Sequence, residues 1–329
     1  MAFVSVAIMS PAGTKSFVTG ATGFLGRRLC KHLQATGEHV IASGRSQQQG
    51  PWDEFVEADL ESEDLPTGFP EGVTTVYHLA SKAHALSETE AESDSYKPVI
   101  VDGTSKVVDA AEASHVQRLI YVSSVKAMGE GNPPGIPLSI FDESSNADPQ
   151  TPYGIAKAEA ELIVLGSKIP HVVVLRPTMV FGPGEKGNLP RMIRAVERGR
   201  FPPLPDTGNR RSMIHVDDVV EFAYRAATKP VAAGKSYILA HPEALSTREL
   251  YDAIRKSLGL GTKGVSVPLI LLKTAASIGT LVGKVVGKRL PLDLETLHKL
   301  TGSAWYSSAL VEKELGYCAQ YSVRDWLEK

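Results

Sequence analysis

The chain reads as an α/β protein, a doubly wound parallel sheet with a smaller mixed C-terminal domain, and two observations predict this. Short apolar runs at 16–18, 40–43, 55–59, 73–79, 119–122 and 172–175 alternate with segments of helical spacing. Buried parallel strands joined by crossover helices give that texture. In addition, Gly20, Gly23 and Gly26 lie directly between the first apolar run and the helical pattern Leu25, Leu29, Leu33. Gly20 permits the tight turn out of a strand, Gly23 lets backbone approach a pyrophosphate, and Gly26 lets the helix lie close to the sheet. The unpaired amides of that helix then face an anion, so the loop predicts a bound dinucleotide.

Composition sets the outer limits. The 329 residues carry 43% hydrophobic side chains and a formal net charge of −2, enough for a large core and without the basic stripe that nucleic acid requires. Cys30 and Cys318 are the two cysteines, and without metal-like spacing they predict neither a disulfide framework nor a metal site. A reducing cytoplasm is the expected location. Residues 1–14 read as a tail lacking the basic region of a secretory leader.

Each element follows from its local pattern. Strand 40–43 is ended by the breaker-rich loop Gly44-Arg45-Ser46 to Pro51. Residues 93–113 have helical spacing through Val101, Val107, Val108 and Ala111. The stretch 129–152 holds five prolines and no periodicity, which predicts a long loop over the site. A helix over 153–165 and a strand at 172–175 complete the first part. Beyond Arg176 prolines punctuate short elements, so the division expected is 15–176 for the dinucleotide-binding domain, with 211–240 returning to it, and 177–210 plus 241–329 for the substrate domain. Ser246 and Glu249 form a capping-box start. Residues 267–290 are the most apolar stretch, but Lys273, Lys284, Lys288 and Arg289 interrupt it. A spanning helix needs about 20 largely uncharged residues, so a packed or surface amphipathic helix is expected, with a membrane face or partner subunit as the alternative contact.

The chemistry centres on Tyr153 and Lys157, which stand at i and i+4 on one helical face. A neighbouring ammonium favours phenolate over phenol, which makes Tyr153 a candidate acid/base. Ser123-Ser124 ends the fifth strand, where a hydroxyl can hold the same substrate oxygen. Lys82 and His84 follow the fourth strand within reach of a substrate, whereas His78 and His215 read as structural hydrogen-bonding groups.

With these residues in hand, the chain resembles the extended short-chain dehydrogenase/reductases, particularly their nucleotide-sugar epimerases, dehydratases and ketoreductases. The resemblance rests on Thr19 to Gly26, Tyr77-His78-Leu79-Ala80, Ser123-Ser124, Tyr153 to Lys157, Leu175-Arg176-Pro177, Phe181 to Gly184 and Ile214 to Asp218. It implies a Rossmann-type fold in which Thr22, Phe24 and Leu25 join the three glycines at the cofactor, Asp59 and Leu60 lie by the adenine, and Leu79, Ala80 and Ser81 border it. It implies that Ser124 hydrogen-bonds the reacting oxygen, Tyr153 moves the proton, and Lys157 assists Tyr153 and binds the nicotinamide ribose. Asn188, Leu189 and Arg211 align with positions that grip a nucleotide diphosphate, Lys126 falls near the substrate, and Ala304 leaves room beside the sugar's 2-substituent. A homodimer is expected.

Two departures matter. Ile100, within Val99-Ile100-Val101, lies in the run where many members carry asparagine, so that polar support for the site is missing or supplied elsewhere. Met179 stands where galactose-type epimerases carry an asparagine on the phosphate. For the cofactor, Gly44 occupies the position of the acid that accepts from the ribose 2′-hydroxyl, and Arg45 follows. This favours NADP(H), with NAD(H) as the alternative. The expected reaction is hydride exchange at C4 of a UDP-linked nucleoside-diphosphate hexose, with or without a 2-acetamido group, by an epimerase or 4-ketoreductase. The competing readings are a reductase of an apolar ketone and a non-catalytic dinucleotide-binding regulator.

Overall fold

The computed structural model describes residues 13–61, 68–82, 95–136, 138–185, 187–261, 266–286, 290 and 292–328. Its centre is a seven-stranded, wholly parallel sheet of β1 (Lys15–Thr19), β2 (His39–Gly44), β3 (Glu54–Glu57), β4 (Val73–His78), β5 (Arg118–Val122), β6 (His171–Pro177) and a last strand at Lys235–Leu239. The spatial order is β3-β2-β1-β4-β5-β6 and then that last strand. Chain order therefore reverses between β1 and β4, and a crevice opens at their carboxyl ends. The central strands are buried on both faces, which is why they read as continuous apolar runs.

Helices cover both sides. α1 (Phe24–Ala35) follows β1, α2 (Gly103–Ala113) continues a π-helical turn at Pro98–Asp102, and α3 (Pro152–Leu165) precedes β6. One face is packed by Leu29, Leu33, Val219 and Phe222 against Val18, Val40 and Val173. The other is packed by Val107, Ala111, Ala160 and Val164 against Phe17, Val76 and Leu119.

After β6 the chain forms β7 (Met179–Phe181), α4 (Asn188–Glu197) and β8 (Met213–His215), with β7 and β8 paired in a separate two-stranded sheet. α5 (Val216–Thr228) then leads back to the main sheet, where β9 (Lys235–Leu239) closes the edge beside β6. The remainder is helical: α6 (Thr247–Ser257), α7 (Leu269–Val286), α8 (Leu294–Thr301), α9 (Ala309–Leu315) and α10 (Val323–Leu327). The expected capping box starts α6: Ser246 Oγ accepts from the Glu249 amide at 3.0 Å, and Glu249 accepts from the Ser246 amide at 2.7 Å.

The loop over 129–152 is tied to the C-terminal part of the chain. Asn132 bridges to Ser303, Phe141 bridges to Tyr306, and a Glu143 carboxylate oxygen accepts from the Ile238 amide at 2.9 Å. Among the described residues, no helix is long and apolar enough to cross a membrane.

Candidate active site

The glycine loop is built by close approach. Gly20 has φ +66°, and a Cβ there would stand 2.8 Å from the Ala80 amide nitrogen. At Gly26 a Cβ would stand 2.2 Å from the Gly20 carbonyl. These two positions seat β1, α1 and the end of β4 against one another, which no side chain would allow. Gly23 differs: a Cβ would meet only the Gly20 carbonyl, at 3.2 Å, so the loop's outer side is open. Phe24 and Leu25 are half-buried at the start of α1, and Thr22 lies beside Gly44 at the end of β2. The open cradle, the first turn of α1, which no side chain caps among the described residues, and the switch point together fit a dinucleotide.

The rim of that crevice is held by Thr19. Its hydroxyl accepts from the amides of Leu79 and Ala80, each at 3.1 Å, and lies 2.7 Å from His78 Nδ1. His78 Nε2 lies 3.0 Å from Thr104 Oγ1. Burial holds the imidazole neutral, its pKa lowered to about 3. His78 is thus a structural tie, and so is His215, which caps α5 by accepting from the Asp217 amide at 3.3 Å. Ser81 and Lys82 continue from this rim as exposed residues. His84 lies outside the described residues. Asp59 is half-buried and Leu60 buried beside Gly103, both just beyond β3, while Arg45 is exposed just after β2. Arg27 holds the loop after β2: it donates to Gln48 Oε1 at 2.7 Å and to the Gln49 carbonyl at 3.0 Å, and its guanidinium lies 5.3 Å from the Trp52 ring centroid.

Tyr153 and Lys157 sit in the first two turns of α3. Thr151 caps the helix by accepting from the Gly154 amide at 3.2 Å, and Pro152 occupies the first turn. The Tyr153 ring meets the buried Tyr96 edge-on at 5.7 Å between centroids. Lys157 is buried, with Nζ donating to Tyr121 Oη at 3.2 Å and to the Val122 carbonyl at 3.0 Å. Nζ also stands 6.0 Å from the Tyr153 ring centroid. Burial lowers the Lys157 pKa to about 7, opposed by Glu161 one turn further along. Glu161 is itself held by Arg176, which donates to both carboxylate oxygens.

Lys157 meets a side-chain oxygen that the sequence pattern does not single out. Ile100 is buried in the core, and the side-chain oxygen offered to Lys157 comes from Tyr121 on β5. Sequence reading missed Tyr121 because its residue type matches any buried strand position; only the register of β5 beneath α3 exposes the contact.

Ser124 follows β5 with its hydroxyl accepting from the Lys126 amide at 3.2 Å, which turns the chain into a short 3-10 segment, Val125–Ala127. Beside it the Ser123 hydroxyl is buried with no hydrogen-bond partner among the described residues. Ser124, Tyr153 and Lys157 thus gather at the carboxyl side of the sheet. Lys126 is paired with Glu130, which also accepts from Thr151 Oγ1 at 3.0 Å.

The expected diphosphate positions are arranged differently from one another. Asn188 is exposed at the start of α4, whereas the Leu189 side chain is buried among Phe181, Val196 and Met213. The Leu189 amide donates to Glu185, whose carboxyl is pushed up to about 7 by burial and whose Oε2 is buried without a partner among the described residues. Arg211 bridges through its backbone to Leu245 and Ala304, while its guanidinium donates to the Lys299 carbonyl at 2.6 Å. Ala304 is half-buried on the segment that runs between Arg211 and the long loop.

Fold and site define a nicotinamide-dependent enzyme of the Rossmann type. The profile of the NAD dependent epimerase/dehydratase family matches residues 16–240, and the chain belongs to that family. It is 30% identical to a UDP-glucose 4-epimerase of Vibrio cholerae, covering 91% of this chain and 89% of that one. It is 29% identical to a 2-alkyl-3-oxoalkanoate reductase of Stenotrophomonas maltophilia, covering 96% and 98%. Among solved structures, MoeE5 in complex with UDP-glucuronic acid and NAD superposes with a TM-score of 0.73 at 23% identity, over 95% of this chain and 96% of that one.

Proposed function

We propose that the protein acts at C4 of a UDP-linked nucleoside-diphosphate hexose, with or without a 2-acetamido group, as an epimerase or 4-ketoreductase. The observation that carries this is the gathering of Ser124, Tyr153 and the buried Lys157 at the crevice opened by the glycine loop. Gly20 to Gly26, Arg45, Asp59, Leu60 and Leu79 to Ser81 hold the dinucleotide. When bound there, the nicotinamide supplies the hydride acceptor or donor for the reacting carbon. Tyr153 takes the proton from the C4 hydroxyl during oxidation and returns it during reduction, and Ser124 donates to the same oxygen as it becomes a carbonyl. Lys157 supplies positive charge beneath Tyr153, carried to its place by Tyr121 and Val122. The part comprising 177–210 and 241–329 holds the sugar nucleotide, through Asn188, Arg211 and the space beside Ala304.

For the cofactor we favour NADP(H). Gly44 offers no carboxylate against a 2′-phosphate, and the exposed Arg45 follows it. The UDP-glucose 4-epimerase of Vibrio cholerae supports the sugar-nucleotide reading through its similarity.

A second reading, a reductase of an apolar ketone, is supported by three observations. The Stenotrophomonas maltophilia relative is a 2-alkyl-3-oxoalkanoate reductase matched over almost its full length. Glu185, moreover, puts a carboxyl at the start of α4, and the Arg211 guanidinium is engaged by the Lys299 carbonyl. The deciding experiment offers the purified protein UDP-glucose, UDP-N-acetylglucosamine, a UDP-4-keto-6-deoxy-hexosamine and a 2-alkyl-3-oxoalkanoate, following reduced cofactor and product stereochemistry together. Conversion of a UDP-sugar without net cofactor use identifies an epimerase, and stoichiometric use a reductase. Turnover of the oxoalkanoate with no UDP-sugar bound overturns the first reading in favour of the second.

A further inference from the structure

α7 is inverted relative to an ordinary surface helix, which turns its apolar stripe inward. It buries a narrow seam, Leu272, Ala276 and Gly279, with Leu272 and Ala276 packing against Leu204 and Leu297. Six large aliphatic side chains, Ile270, Leu271, Ile278, Leu281, Val282 and Val286, are instead between 41% and 72% exposed. At about 100° of rotation per residue these six fall in one arc of roughly 160°. The exposed Lys273 and Lys284 fall together in the sector between that arc and the buried seam.

Two further features fit an apolar environment with an anionic border. The outward hydroxyls are satisfied within the helix: Thr274 donates to the Ile270 carbonyl at 3.0 Å and Ser277 to the Lys273 carbonyl at 2.9 Å. Such back-bonding removes the cost of taking a hydroxyl out of water. In addition, the sequence from 253 to 292 contains no Asp or Glu, while Lys263, Lys288 and Arg289 flank the helix in sequence.

We propose that α7 docks the protein on an anionic lipid surface. The helix lies in the plane of the interface with its aliphatic arc among the acyl chains, and Lys273 and Lys284 reach the phosphates at its border. Charge selects this occupant over a second copy of the chain. Two α7 helices meeting along this face would bring lysine to lysine with no carboxylate in either segment to pair them.

Flotation of the full-length protein with vesicles tests this, comparing phosphatidylcholine alone with phosphatidylcholine containing phosphatidylglycerol. Wild type is expected to float with the anionic vesicles, and to do so about ten-fold less with neutral ones or at high salt. Ile278→Asp/Leu281→Asp is expected to lose about ten-fold or more of the binding. Lys273→Ala/Lys284→Ala, which leaves the apolar arc intact, should lose a similar amount, at roughly five-fold per lysine. Unchanged thermal unfolding and cofactor binding show that the variants are folded. The proposal is overturned by wild type that stays with the soluble fraction, by either variant floating undiminished, or by a fall in solution mass of the aspartate variant, which would assign the face to a second copy.

Discussion

Lys157 has two oxygens for its ammonium, and in the proposed mechanism how firmly they hold the proton decides what Tyr153 can do. Replacing Tyr153 with Phe should remove about 100- to 10,000-fold of kcat while leaving unfolding and cofactor affinity unchanged; retention of more than about a tenth of wild-type turnover would assign the proton to another group. Tyr121→Phe is the sharper test of the buried arrangement. Losing the 3.2 Å contact leaves the ammonium with the Val122 carbonyl, and a hydrogen bond to a charged group is worth about 1.5–3 kcal/mol. The charged form is then disfavoured further, below the value of about 7 that burial already sets. Activity that depends on the ammonium is lost as pH rises through this pKa, so the basic limb of the kcat/KM profile should move down by about one pH unit or more. A profile that keeps its position while only the maximum falls would make Tyr121 a packing residue. At Arg45 the expected outcome is selectivity: wild type should bind NADP(H) more tightly than NAD(H), and Arg45→Ala should lose that preference without losing NAD(H). Equal dissociation constants in wild type would remove the NADP(H) reading.

At the scale of elements, α4 carries the feature that sequence pattern hides best. Asn188-Leu189 reads as a diphosphate grip, yet the Leu189 amide is given to Glu185. Burial lets this carboxyl keep its proton to about pH 7 in the fold, whereas the unfolded chain loses it near 4.5. The folded state therefore binds more protons between those values, and the stability Glu185 contributes is present below about 4.5 and lost as pH rises to 7. Glu185→Gln should flatten the melting temperature over this window. If a diphosphate docks at α4, the same variant should abolish a weakening of UDP affinity above pH 7 that the wild-type carboxylate imposes. A melting profile identical to wild type would show that Glu185 ionises as it would in solvent. The strands β1 to β6 were legible because parallel strands buried on both faces leave unbroken apolar runs, and α1 because its glycines have geometric work. β7, β8 and β9 escaped that reading: two are three residues long and the third, Lys235–Leu239, mixes polar and apolar side chains at a sheet edge. α7 was legible as a helix, but apolar composition argues for burial, and only packing reveals that its wider apolar arc faces outward.

Across the whole molecule, the proposed catalytic residues lie mid-chain and the expected substrate contact Ala304 near its C-terminal end, and the long loop is what fastens the two segments together. Ser124 and Tyr153 bracket it in sequence, Asn132 exchanges backbone hydrogen bonds with Ser303, and Phe141 does so with Trp305 and Ser307. The segment from Ser303 to Ser307 in turn carries Ala304 and lies against Arg210 and Ser212. Proline content identified this loop as irregular, but it could not show that its partner lies some 170 residues away, since isolated bridges leave no periodic pattern. Gly131 is the tightest point of the seam: it has φ +84°, and a Cβ there would stand 2.3 Å from the Ser303 carbonyl. Gly131→Ala must therefore strain the backbone and push the two segments apart, at a cost of about 1–3 kcal/mol in each respect. Because the glycine loop after β1 lies elsewhere, cofactor affinity should stay near wild type, while KM for the substrate rises several-fold along with a lower melting temperature. Gly135, also at positive φ but with nothing within 4 Å of a Cβ, serves as the control. Gly135→Ala carries only the backbone strain and should leave KM unchanged, whereas an equal rise in KM for both variants would mean that loop strain, and not the seam with Ser303, sets the substrate contacts.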